Sequence, residues 1–123
     1  MKVLIVDDEE FNRDLVAQLL NLRFGSRVET LEAVDGVEAV EMTRRERPNL
    51  ILMDLSLPRK SGWDAVREIK ADAALAHIPI IALTAHAMAG DREQALAVGC
   101  NDYLSKPFLS SHFLETVARW LQL

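Results

Sequence analysis

The chain has 123 residues, half of them hydrophobic, and carries 14 basic against 19 acidic side chains, a net charge of −5 with histidine neutral. That length suits one domain that can bury a core without covalent staples. The mild acidity argues against a nucleic-acid surface, which needs clustered Lys and Arg. The single cysteine, Cys100, excludes an internal disulfide and points to a reducing, cytoplasmic setting. The apolar run from Met1 to Val6 is broken by Asp7 and Asp8 and is too short for a signal peptide or a membrane span, and no other stretch approaches spanning length.

Along the chain, short apolar runs alternate with amphipathic stretches. Val3 to Val6 reads as a buried strand. Glu9 to Arg23 carries Phe11, Leu15, Leu19 and Leu22 at helical spacing, and Phe24-Gly25 closes that helix. Val28 to Val34 is a more polar strand, expected near a sheet edge. Gly36 to Arg47 is a second helix, stopped by Pro48. Leu50 to Met53 is a second fully apolar run and ends in Asp54. Leu57-Pro58 through Ser61-Gly62 is loop, punctuated by Pro and Gly, and Trp63 to Ala71 is helical. Ile78 to Leu83 is a third apolar strand, Gly90 to Val98 a helix ending at Gly99, Asp102 to Leu104 a short strand and Leu109 to Leu121 a last helix.

Five βα units result. Strands that are apolar on both faces belong in a parallel sheet covered by helices on both sides, and right-handed crossovers then give a doubly wound, flavodoxin-like α/β fold. In such sheets ligands bind beyond the carboxyl ends of the strands. Asp7 and Asp8 follow the first strand, Asp54 ends the third, Thr84 follows the fourth, and Lys106 with Pro107 follows the fifth. Three carboxylates, a hydroxyl and an ammonium thus converge on one sheet edge. Crowded carboxylates repel, and a dry site pushes one to protonate unless a hard divalent cation intervenes. Mg²⁺ takes oxygen ligands and binds phosphate well. A carboxylate beside Mg²⁺ and a lysine is able to attack phosphorus, with both cations offsetting charge on the phosphoryl oxygens.

Taken singly, each feature has an ordinary explanation. Paired acids after a strand often serve a helix N-terminus, Asp54 alone suits a helix cap, Lys106 alone a solvated surface position and Thr84 alone a turn. His77, His86 and His112 lack metal-ligand spacing, Cys100 beside Gly99 reads as a small packed residue, and Trp63, Phe108 and Trp120 read as packing. The specificity lies in the joint placement of the polar residues at four strand ends.

Four segments carry a family resemblance: LIVDDEE at 4–10, LILMDLSLPRKSGWD at 50–64, IIALTAHAM at 80–88 and GCNDYLSKPF at 99–108. In that order and spacing the sequence resembles the bacterial response-regulator receiver domains over essentially its whole length, and in detail the stand-alone, cell-division type and the receivers of hybrid kinases. The resemblance implies the (βα)5 fold with strand order 2-1-3-4-5, a single receiver domain over 1–123, and a phosphoacceptor switch in a two-component phosphorelay. Asp54 is then the phosphorylated aspartate. Asp8 and Asp54 hold Mg²⁺ together with the backbone carbonyl of Ser56, and Asp7 acts largely through a bound water. Thr84 and Lys106 contact the phosphoryl oxygens, and Tyr103 is the aromatic switch. Lys106–Pro107 is expected to be cis. Ser56 and His86 flank the pocket. The implied partners are a histidine kinase or histidine phosphotransfer domain as donor and a downstream protein. Because the donor must reach Asp54 in line, its docking is expected over the first helix and the active-site loops, at Glu9 to Asn12 and at Val16 and Leu20, apolar residues beyond the first stripe. The downstream protein reads the surface of the fourth helix, fifth strand and fifth helix. On this view the chain is no turnover enzyme, beyond its own autophosphorylation and autodephosphorylation, and has no nucleic-acid or membrane partner. The positions of Met1 and Leu123 around the first strand and last helix favour a complete protein.

Two other classes remain in view. A Mg²⁺-dependent phosphatase with an aspartate nucleophile needs a second acid two positions on, where this chain has Ser56. A flavin or dinucleotide binder on the same fold lacks its G-x-G-x-x-G after a strand.

Overall fold

A computed structural model describes residues 1–57, 60–85 and 90–123. The strands are β1 (Lys2–Val6), β2 (Glu29–Ala33), β3 (Leu50–Asp54), β4 (Ile80–Thr84) and β5 (Asp102–Ser105). They alternate with helices α1 (Glu10–Phe24), α2 (Gly36–Glu46), α3 (Gly62–Ala71), α4 (Asp91–Val98) and α5 (Ser110–Leu121), and a short 3₁₀ turn, Gly25–Arg27, follows α1. The sheet is parallel with order β2-β1-β3-β4-β5, so the expected strand order holds and the more polar β2 lies at an edge.

The alternation of side chains along a strand sorts the core into two layers. Leu4, Val6, Ile51, Met53, Ile80 and Ala82 face α2, α3 and α4, joined by Val40, Val66 and Ile69. Val3, Ile5, Leu50, Leu52, Ile81 and Leu83 face α1 and α5, joined by Leu20, Phe113 and Val117. β3 and β4 are buried along their whole length, the reason their sequences are unbroken apolar runs. Helix ends obey local chemistry. Asp35 and Ser61 accept hydrogen bonds from the Glu38 and Asp64 amides, capping α2 and α3. Gly99 ends α4 at φ 121°, a left-handed position that favours glycine.

Three sequence expectations need correction. β4 begins at Ile80 rather than Ile78. Pro79 has no N–H for the ladder, although its carbonyl accepts from Ile51, and Ile78 is buried outside the strand. α3 opens at Gly62, one residue earlier than expected, because Ser61 is its cap. The core face of α1 is Val16, Leu20 and Phe24. Val16 and Leu20, expected to lie beyond the first stripe as part of a docking face, are therefore core, while Phe11, Leu15 and Leu22 of that stripe are exposed by 75%, 47% and 85%. Both stripes have helical spacing, and the spacing alone does not say which one meets the sheet.

Candidate functional site

The parallel sheet points the carboxyl ends of β1, β3, β4 and β5 to one edge. Asp7, Asp8 and Asp54 each offer a carboxylate oxygen there, all within 4.8 Å of one another. Asp7 is buried and thoroughly anchored. Its Oδ1 accepts from the Glu9 amide at 2.9 Å and its Oδ2 from Lys106 Nζ at 3.0 Å. Its own amide donates to the Ala33 carbonyl at 3.1 Å, tying the turn to β2. Asp8, next along, is exposed. Asp54 is only 9% exposed; the Ser56 amide donates to its Oδ1 at 2.9 Å, and its Oδ2 lies 3.9 Å from Lys106 Nζ.

Burial pushes the Asp54 carboxyl above the usual carboxylate range. The Ser56 amide and the Lys106 charge work against that shift, and Asp7 and Asp8 add to it. Burial and the neighbouring acids both disfavour the charged form, and a bound cation would offset them. The donor set fits a hard divalent ion: hard oxygens from Asp7, Asp8 and Asp54, with an exposed, water-accessible side at Asp8 and Ser56. A cleft of about 240 Å³ opens over these groups, lined by Asp8, Glu9, Asn12, Asp54, Ser56, Ala85 and Lys106.

Thr84 ends β4 at 4% exposure, and its carbonyl accepts from the Lys106 amide at 2.7 Å, which couples the two strand ends. The Lys106–Pro107 peptide is cis, as expected. Tyr103 stands apart from the acids on β5. Its ring is buried against the α2–α3–α4 layer, 8% exposed, and its hydroxyl has no hydrogen-bond partner among the described residues. His86 lies outside the described residues. Cys100 is buried, which raises its thiol to about 11, in keeping with a packed residue. The aromatics also pack: Phe108 stacks on Phe113 with centroids 5.0 Å apart, and Trp120 donates to Asp102 at 2.9 Å.

One contributor escaped the sequence reading. Arg13, on the first turn of α1, donates from its guanidinium to the Asp7 carbonyl at 2.9 Å and pairs with Glu32 on β2 at 2.8 Å. A side chain that meets a backbone carbonyl leaves no motif, and Arg13 reads as a solvated helix charge.

Comparison with known proteins agrees with this geometry. The response regulator receiver domain family model matches residues 3–118. The polar-differentiation response regulator DivK of Brucella anthropi is 43% identical over 119 residues, covering 97% of this chain and 94% of that protein. DivK of Brucella melitensis is 42% identical with the same coverage. The receiver domain of the sensor histidine kinase PA1611 from Pseudomonas aeruginosa, solved with magnesium in its active-site cleft, superposes with a TM-score of 0.87. It is 38% identical and covers 99% of this chain and 98% of that one. The chemotaxis protein CheY4 of Vibrio cholerae superposes with a TM-score of 0.85 at 30% identity, over 96% of each chain. Among the described residues no helix is long and apolar enough to cross a membrane. Fold, acidic edge and relatives converge, and the chain belongs to the response regulator receiver domains, the phosphoacceptor signalling modules of two-component systems.

Proposed function

We propose that Asp54 is the phosphoacceptor, working with Mg²⁺ held by Asp8, Asp54 and the Ser56 carbonyl, with Asp7 acting through a bound water. The observation that carries this is the buried Asp54 carboxylate set between two other acids and Lys106. When bound, the cation supplies charge neutralisation of the acids and of the incoming phosphoryl oxygens. The protein's own groups do the rest. The Ser56 amide fixes the Asp54 carboxylate, leaving an oxygen to attack phosphorus as the phosphorus–nitrogen bond of a phosphohistidine breaks and the imidazole departs with its electron pair. Lys106, held on Asp7, is close enough to exchange that partner for a phosphoryl oxygen. Thr84 supplies a hydroxyl to the same oxygens by moving at the end of β4. Small phosphodonors drive the same reaction, and hydrolysis of the acyl phosphate ends the signal.

The donor, a histidine kinase or phosphotransfer domain, docks on the outer face of α1 beside the cleft. Phe11 and Leu15 are exposed there. Leu15 and Asn12 also line an apolar groove of about 260 Å³ that continues to Lys106, Pro107 and Phe108. The downstream protein reads the face of α4, β5 and α5, where Tyr103 sits. Incubation with acetyl phosphate and Mg²⁺ should add one phosphoryl group by intact mass, and Asp54→Asn should abolish it. Equal labelling of the Asn variant would mean that the nucleophile lies elsewhere.

A further inference from the structure

We infer that Arg13 is a positioning residue for the acidic turn, and that it sets the affinity of the metal site by fixing the Asp7–Asp8 peptide. The inference rests on the reading of Asp8 and Asp54 as cation ligands.

Asp7 is held at four points. Its amide bonds the Ala33 carbonyl, its Oδ1 receives the Glu9 amide, its Oδ2 receives Lys106, and its carbonyl receives Arg13. The last contact acts on the peptide that leads into Asp8. Among the described residues, the Asp8 carboxylate accepts no hydrogen bond and is exposed. The place from which its side chain starts, and so its reach toward a cation, is set by the backbone plane. That plane is clamped by one guanidinium, anchored at its other edge by Glu32 on β2. The Arg13 side chain is 13% exposed against 44% for Glu32, so the arginine is sunk into the fold and is no solvated surface charge. The planar fork bridges α1, the end of β1 and β2 in a way a single ammonium does not. Outer groups that orient metal ligands commonly govern affinity by an order of magnitude or more.

Charge and geometry predict opposite signs, which makes the inference testable. Arg13 places a positive charge beside a cation site, so its removal on electrostatic grounds alone should tighten Mg²⁺ binding. Loss of the clamp should weaken it. Isothermal titration with magnesium chloride alone, on the full chain, is expected to show binding about tenfold weaker in Arg13→Met. Arg13→Lys, which keeps the positive charge but cannot bridge the Asp7 carbonyl and Glu32 with a planar fork, should show a loss of the same sign. Binding by Arg13→Met that equals or exceeds the parent's overturns the inference. If Arg13→Met fails to fold in thermal melts, Arg13→Lys decides, because it keeps the charge and loses the fork, and an affinity equal to the parent's there overturns the inference. No binding by the parent itself would overturn the metal reading, and the inference with it.

Discussion

Asp54→Asn should make the metal-free protein more stable at neutral pH and remove most of the stabilisation that Mg²⁺ confers. The charged terms around Asp54 nearly cancel. At an effective dielectric constant of about 20, attraction to Lys106 across 3.9 Å is about 4 kcal/mol. Repulsion from Asp7, with oxygens within 4.8 Å, is at least about 3.5 kcal/mol, and exposed Asp8 adds a screened contribution of the same sign. Burial of the carboxylate then decides the balance, and the pKa lies above the usual range. A carboxyl whose folded pKa is raised contributes stability below its unfolded pKa of about 4, and that contribution is lost as pH rises through the folded value. Asparagine keeps an acceptor for the Ser56 amide and never pays for ionisation. Each kcal/mol of that advantage raises Tm by roughly 3–6 °C in a domain of 123 residues. The assay is thermal unfolding by circular dichroism in chelator, at pH 7 and again below pH 4, where the difference should vanish. With Mg²⁺ at ten times its Kd the parent gains about 1.4 kcal/mol, so the two melting curves should converge or cross. An Asn variant that melts below the parent in chelator at pH 7, or an equal response of both to Mg²⁺, would refute the reasoning.

Gly62→Ala should cost about 1–3 kcal/mol in chemical denaturation, because a Cβ there collides with the Asp54 carbonyl and Leu55 Cα, backbone atoms that must move. The same shift should slow labelling by acetyl phosphate, since it displaces the acceptor itself. Phe11→Asp should leave acetyl phosphate labelling unchanged but slow transfer from a phosphohistidine partner about tenfold or more, as measured by radiolabel transfer. Unchanged transfer would place docking elsewhere. Phe113→Ala, at the centre of the α1–α5 layer, should lose about 3–5 kcal/mol of stability. Thr84→Ala should still accept a phosphoryl group but transmit it poorly. Amide NMR shifts on adding beryllofluoride should then shrink at Tyr103 relative to the parent, and undiminished shifts would uncouple Thr84 from that face.

What the sequence reveals here depends on whether the partner of each residue also has a sequence signature. β1, β3 and β4 are legible because a strand covered on both faces must be apolar at every position, and only a parallel α/β sheet asks for that repeatedly. The acids are legible because strand ends in such a sheet converge, so Asp7, Asp8, Asp54 and Lys106 meet although 99 residues separate Lys106 from Asp7. α1 is misread for the opposite reason. It is apolar around most of its girth, and the inward choice of Val16 and Leu20 over Phe11 and Leu15 is made by tertiary packing against β1 and α5, which no local period encodes. The excess bears on the proposed docking of the donor: Phe11 and Leu15 are exposed on α1 beside the acidic cleft. Tyr103 and Arg13 fall between these cases. The aromatic position is evident, but its inward rotamer depends on space left by neighbours. The arginine is evident as a charge, but its partner is a main-chain carbonyl that every residue possesses. Side chains that recognise side chains leave paired traces in a sequence. Those that recognise backbone leave none, and in this protein they hold the turn on which the acidic edge is built.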